Sequence, residues 1–313
     1  MSQVAVRLLD GGMGHELKRI GAPFRQPEWS ALALIEAPAF VLQAHRAFID
    51  AGARIATSNS YALVPFHLGE ERFTEHGLAL ATLAGRLACE AAQHSVEPVI
   101  VAGSLPPVLG SYRPDLFDHQ RSVAVHQQLI EGLRSHVDVW LAETQSSIAE
   151  VRAVREAIGN DDLLLWLSFT LLDDHDSQAR SRLRSGETVE EAVRVAVELG
   201  ATAVLFNCSQ TEVMTAALAE ARSVLDPLGL SIELGVYANA FPAMSAEAEA
   251  NSTLLGIRKD LARHLTWTGR AHGWSRAPPS LGAVAVSALS ISLNCSITCC
   301  SQYCSITCCS QWR

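Results

Sequence analysis

The sequence predicts an α/β protein, a single-domain (β/α)8 TIM-type barrel whose eighth unit is incomplete or altered. Three observations predict it. Seven short β-branched or leucine-rich runs recur along the chain, each ends in small or polar residues, and segments of helical period separate them. Strands buried on both faces of a parallel sheet need such continuous apolar runs, and this alternation gives parallel βαβ units. No GxGxxG or P-loop pattern opens a helix, which favours a closed barrel, usually about 250 residues long, over an open nucleotide-binding sheet.

The runs follow in order. Val4 to Leu9 ends at Asp10-Gly11-Gly12, Arg54 to Thr57 at Ser58-Asn59-Ser60-Tyr61, and Val99 to Ala102 at Gly103-Ser104-Leu105-Pro106-Pro107. Val137 to Ala142 precedes Glu143-Thr144, Leu163 to Leu167 precedes Ser168-Phe169-Thr170, and Ala203 to Phe206 precedes Asn207-Cys208-Ser209. The seventh, Ile232 to Val236, precedes Tyr237-Ala238-Asn239, and an eighth apolar run starts after Gly282. Pro38 to Ala51 carries apolar residues at Phe40, Val41, Ala44 and Phe48, a helical spacing. Thr188 to Leu199 does the same and is closed by Gly200, a helix stop. Chemistry in such a barrel belongs at the C-terminal strand ends, where Asp10, Tyr61, Glu143, Cys208 and Asn239 fall.

The 313 residues are 49% hydrophobic and 18% charged, enough to bury a core. Twenty-four Lys and Arg against 33 Asp and Glu give a net charge of −9, which argues against nucleic acid or an anionic membrane as partner and for small molecules. The N-terminus has no apolar h-region, and the run from Leu281 to Leu293 is too short and too rich in serine to span a bilayer. A cytoplasmic protein is expected. There, cysteines point to metal or catalysis and not to a disulfide framework. The oligomeric state is left open.

Charge and cysteine are unevenly placed. From Ala277 to the end the sole charged residue is Arg313, whereas Cys295, Cys299, Cys300, Cys304, Cys308 and Cys309, six of the eight cysteines, crowd this stretch. Residues 1–276 are read as the barrel and 277–313 as an aberrant, low-charge, Cys/Ser-rich tail.

Six blocks resemble, in order and spacing, the zinc-dependent homocysteine S-methyltransferases of the S-methylmethionine type. They are Leu8-Leu9-Asp10-Gly11-Gly12-Met13-Gly14, Ser58-Asn59-Ser60-Tyr61, Gly103-Ser104-Leu105-Pro106-Pro107, Leu141-Ala142-Glu143-Thr144, Phe206-Asn207-Cys208-Ser209 and Tyr237-Ala238-Asn239. The resemblance implies methyl transfer to the thiol of homocysteine, which a Zn²⁺ on three cysteine thiolates takes as its fourth ligand. A metal lowers the pKa of a coordinating thiol, and an open fourth position marks a catalytic zinc. Cys208 matches the first zinc ligand. Glu143 matches the carboxylate that holds the homocysteine amino group, and Asp10 an acidic residue of the same pocket; otherwise Asp10 would close an Asx turn into Gly11-Gly12. Trp29 and Tyr61 match aromatic positions lining the site, and Asn239 lies at the last matching strand end. Aromatic faces suit a sulfonium donor. S-methylmethionine is the expected donor and S-adenosylmethionine the second choice.

The resemblance breaks at the eighth strand, where the family has Gly-Gly-Cys-Cys-Gly with the second and third zinc ligands. Here the chain reads Arg276-Ala277-Pro278-Pro279-Ser280-Leu281-Gly282-Ala283-Val284-Ala285-Val286. If the first two bases of each codon from Gly282 to Val286 become the last two of a shifted codon, the new codons permit Gly, Gly, Cys, Cys and Gly. The lost motif therefore fits in register, one frame away. The tail repeats Cys-Ser-Ile-Thr-Cys-Cys-Ser-Gln from Cys295 and again from Cys304, as an out-of-frame short DNA repeat would. The rival readings are a non-catalytic homocysteine-binding barrel and a thiol-rich protein binding a soft metal through its tail.

Overall fold

The structure, a computed structural model, describes residues 7–173 and 180–239, and beyond them two strands of two residues each. Six strands form one parallel sheet in chain order: β1 (Ile55–Thr57), β2 (Ile100–Leu105), β3 (Val139–Gln145), β4 (Leu164–Phe169), β5 (Ala203–Asn207) and β6 (Glu233–Tyr237). Three helices precede β1: α1 (Met13–Arg19), α2 (Ser30–Glu36) and α3 (Pro38–Asp50). The crossovers are α4 (Pro65–Leu68) with α5 (Glu70–Gln93), then α6 (His119–Leu133), α7 (Ile148–Ile158), α8 (Val189–Glu198) and α9 (Thr211–Leu225). This is the expected α/β barrel, incomplete among the described residues.

The first and eighth units differ from the rest. Residues 7–10 run beside β1 with one parallel bridge, Leu9 to Ile55, and Asp10 N donates to Ile55 O at 2.9 Å. After Gly282, β7 (Ala283–Val284) pairs in parallel with β8 (Ser305–Ile306) as a separate two-stranded sheet and does not join the six. The boundary at Ala277 and the rest of the tail lie outside the described residues.

Helix ends follow their sequence signals. Thr188 caps α8 and Ser147 caps α7, each in a reciprocal capping box with the acid three residues on, Glu191 and Glu150. Both boxes fix where a helix starts relative to the strand before it.

Alternation along the strands sorts side chains into two compartments. Outward positions such as Leu105, Trp140, Leu165, Leu167, Val204, Phe206 and Leu234 join the inner faces of the helices in the main core. Fully burying one such side chain stabilises by about 1.5–3 kcal/mol. Gly103 in β2 fits because a Cβ there would stand 2.9 Å from the Trp140 ring. Inward positions Leu9, Ile55, Ala102, Val139, Leu141, Trp166, Ala203 and Leu205 form a second apolar cluster, capped by Tyr237. One step further along each strand, the inward residues become Thr57, Ser104, Glu143, Ser168 and Asn207. The interior turns polar at its C-terminal end, and the site is built there.

Candidate active site

Asp10 enters the site because the chain turns sharply after residue 9. A Cβ on Gly11 would come within 2.6 Å of the Phe48 ring, so only glycine lets the turn press against α3. The Asp10 carboxylate accepts from Thr57 N at 2.7 Å and Thr57 Oγ1 at 2.9 Å. It is thus bolted to the end of β1.

Glu143, inward on β3, accepts from Ser104 Oγ on β2 and from Tyr237 OH on β6 at 3.3 Å. The next residue, Thr144, breaks the strand register with φ 59°. Its N–H donates to Asn207 Oδ1 at 3.0 Å, and Asn207 Nδ2 returns a bond to Thr144 Oγ1 at 2.8 Å. Ser168 Oγ on β4 donates to the same Asn207 oxygen at 2.8 Å. Asn207 therefore ties three strand ends together and presents the following residue, Cys208. Thr144 Oγ1 lies 3.8 Å from the Cys208 sulfur, and the Tyr112 hydroxyl interacts electrostatically with that thiol.

Backbone strain marks the same rim. Among the described residues four non-glycines have clearly positive φ: Trp29 (49°), Tyr112 (69°), Thr144 (59°) and Cys208 (50°). Such conformations cost roughly 1–3 kcal/mol each and collect at functional sites, where the surroundings over-determine them. Here Thr144 and Tyr112 both interact with Cys208.

Burial sets the electrostatics. Loss of hydration pushes Glu143 up to about 7 against the pull of its Ser104 and Tyr237 bonds. Asp10 is pushed up to about 8, first by burial; the Thr57 bonds pull it back and the Glu143 charge adds to the rise. Burial, then the Glu143 carboxylate, also pushes the Cys208 thiol up, as burial does the hydroxyls of Tyr61, Tyr112 and Tyr237. The two buried carboxylates raise each other's cost of ionisation, and a cation beside them would lower it.

The sequence-predicted residues meet here to different degrees. Asp10, Glu143, Cys208 and Tyr61 form one electrostatic cluster, with the Tyr61 hydroxyl 2.6 Å from Ser111 Oγ. Asn239 borders it through the backbone, its N–H donating to Ser209 O at 3.0 Å. Trp29 packs edge-on against Phe24 at 5.7 Å, and Asn59 Nδ2 on the adjacent Ser30 O (3.1 Å) anchors that segment to the end of β1. Tyr112, Thr144 and Asn207 were not singled out. Asn207 and Thr144 stand inside quoted blocks, and the inward alternation of β5 would have marked Asn207. Tyr112 lies in a loop and carries no periodic signal.

Zinc does not fit the described residues by themselves. Among them no three His, Cys, Asp or Glu side chains stand together as a metal-holding group, whereas a catalytic zinc normally has three protein ligands. Cys208 supplies one thiol.

Among the described residues no helix is long and apolar enough to cross a membrane. The profile of the homocysteine S-methyltransferase family matches residues 7–280. Homocysteine S-methyltransferase of Escherichia coli (strain K12) is 29% identical over 230 residues, covering 68% of this chain and 72% of that protein. Selenocysteine Se-methyltransferase of Brassica oleracea var. italica is 26% identical over 234 residues, covering 64% and 65%. The metallated crystal form of the homocysteine methyltransferase MmuM from Escherichia coli matches with a TM-score of 0.64 and 27% identity, over 74% of this chain and 83% of that one.

Proposed function

The chain belongs to the homocysteine S-methyltransferase family, and from that premise we propose that it moves a methyl group from a sulfonium donor to the thiol of homocysteine, giving methionine. The observation that carries this reading is the buried pair Asp10 and Glu143 facing Cys208 at the strand ends. In this reading the homocysteine ammonium lies between the two carboxylates, which ionise as it enters. Its sulfur is then directed towards Cys208. The rings of Tyr61 and Trp29 take the donor, since a π face attracts a sulfonium and excludes water. The thiol gives up its proton to solvent, its sulfur lone pair attacks the methyl carbon in line, and the C–S⁺ bond breaks, its electron pair staying on the donor sulfur to release a neutral thioether. With S-methylmethionine, the preferred donor, that thioether is also methionine; S-adenosylmethionine is the alternative.

Cys208 is in this reading the one family zinc ligand the chain retains. Residues 277–313 are proposed as an aberrant tail that replaces the segment with the other two, and the setting as cytoplasmic. The incomplete ligand set favours a second reading, a barrel that binds homocysteine without turning it over. The experiment that separates them is methionine formation from L-homocysteine with each donor, run beside zinc stoichiometry. Turnover, with about one zinc per chain that is lost on Cys208→Ser, supports the transferase. Homocysteine binding without turnover supports the binding barrel, and metal binding that vanishes only on truncation at Ala277 supports the tail.

A further inference from the structure

Arg184, between β4 and α8, is a cation with 1% of its side chain exposed. Its Nε donates to Thr170 Oγ1 at 3.3 Å and its Nη2 to Asp173 Oδ2 at 3.4 Å. Thr170 Oγ1 is in turn 3.2 Å from Ser209 Oγ, next to Cys208. The guanidinium lies over the Tyr112 ring, 4.5 Å from its centroid, and the hydroxyl of that ring interacts electrostatically with the Cys208 thiol. The cation is therefore one aromatic ring away from the thiol. Its Nη1 is buried and has no hydrogen-bond partner.

A guanidinium offers five donors in a planar fork, and leaving one buried and unmatched is costly. Asp173 answers the charge as a buried ion pair and its Oδ1 accepts from Gln210 N at 2.8 Å, but the pair leaves Nη1 without a hydrogen-bond partner. What completes such a fork best is a carboxylate. The reading of the site as an amino-acid pocket supplies one: Asp10 and Glu143 answer an ammonium, and an α-amino acid brings a carboxylate with it.

We propose that Arg184 binds the α-carboxylate of an amino-acid substrate at this site, and thereby selects amino acids over their decarboxylated analogues. The proposal rests on the function put forward above. Homocysteine and S-methylmethionine share that carboxylate, and the test distinguishes the two sources.

The full chain is titrated by calorimetry with L-homocysteine, with S-methylmethionine, and with their decarboxylated counterparts, 3-aminopropanethiol and (3-aminopropyl)dimethylsulfonium. One amino acid is expected to bind about ten- to a hundredfold more tightly than its counterpart, the usual effect of a charge-assisted hydrogen bond. Arg184→Met should remove that advantage and leave the counterpart's affinity unchanged, and Arg184→Lys should restore part of it. The amino acid that loses affinity identifies the source of the carboxylate. If both amino acids bind as well to Arg184→Met as to the unaltered chain, or if both counterparts bind the unaltered chain as well as their parents, the role of Arg184 is overturned while the function stands. If the unaltered chain binds neither amino acid, both fall. Should Arg184→Met not fold, the comparison of analogues on the unaltered chain, with Arg184→Lys beside it, decides.

Discussion

The lower and upper halves of the barrel interior are built on the same strands with the same alternation, yet they follow opposite rules. Below, Ile55, Ala102, Val139, Leu141, Trp166, Ala203 and Leu205 fill the space with apolar volume. Above, Thr57, Ser104, Glu143, Ser168 and Asn207 occupy the same inward column with polar groups, and strained residues ring them. The lower half gains stability from burial. The upper half holds buried carboxylates and left-handed backbone that both cost stability, and it is held in place by what lies beneath. The difference places folding energy and chemistry on successive residues of one strand.

The largest effect should come from breaking the lower half. Trp166 on β4 is 3% exposed, with the Arg7 guanidinium 5.6 Å from its ring centroid and paired below to Glu233. Trp166→Ala should destabilise the chain by about 3–5 kcal/mol in urea unfolding, from lost burial and the cavity left behind. The folded fraction should still bind homocysteine within about twofold. A loss of binding in protein shown to be folded would mean that the two halves are not separable.

The second effect inverts the first. Glu143→Gln keeps the shape and the Ser104 bond but cannot ionise, so homocysteine affinity should fall about a hundredfold near pH 8, as expected on removing one partner of a buried charge pair. Stability should move the other way. The folded-state pKa of Glu143 is raised to about 7 from an ordinary 4.5, so its contribution is complete below the unfolded value and is lost as pH rises through about 7. Unfolding near pH 4, below the unfolded value, should find variant and unaltered chain alike. Near pH 8.5 the variant should be the more stable, by on the order of 1–3 kcal/mol. Equal stability at both pH values would show that the carboxylate is not held neutral by burial.

How much of this was legible in the sequence follows from the same division. The strands were readable because each is a continuous apolar run, and the helices because their apolar faces repeat. Asp10 and Glu143 directly follow such runs and Cys208 comes one residue later, and the family resemblance of the blocks around them marked all three. Tyr112 and Arg184 were not marked, since they reach the site from loops whose course depends on tertiary packing. The exchange between Asn207 and Thr144 is likewise a contact between separate strands, and neither residue announces it alone. The first strand shrank to one bridge, although its sequence reads like the others.

The smallest effect is at Cys208, and it sharpens the contrast furthest. Its φ of 50° lies where a side chain crowds the following carbonyl, at roughly 1–2 kcal/mol for a non-glycine residue. Cys208→Ala removes the thiol and keeps that crowding. Cys208→Gly removes both, but a glycine loses more freedom on folding, about 0.5–1 kcal/mol relative to alanine. The difference between the two terms leaves glycine more stable than alanine here by about 0.5–1 kcal/mol, against the order found in a helix or strand. Both variants should lose any zinc bound by the chain. Parallel urea melts of the two would measure the strain that the fold spends to hold this sulfur in place. If alanine proved the more stable, the left-handed turn would be relaxed, and the thiol's position would be set by Asn207 and Tyr112 alone.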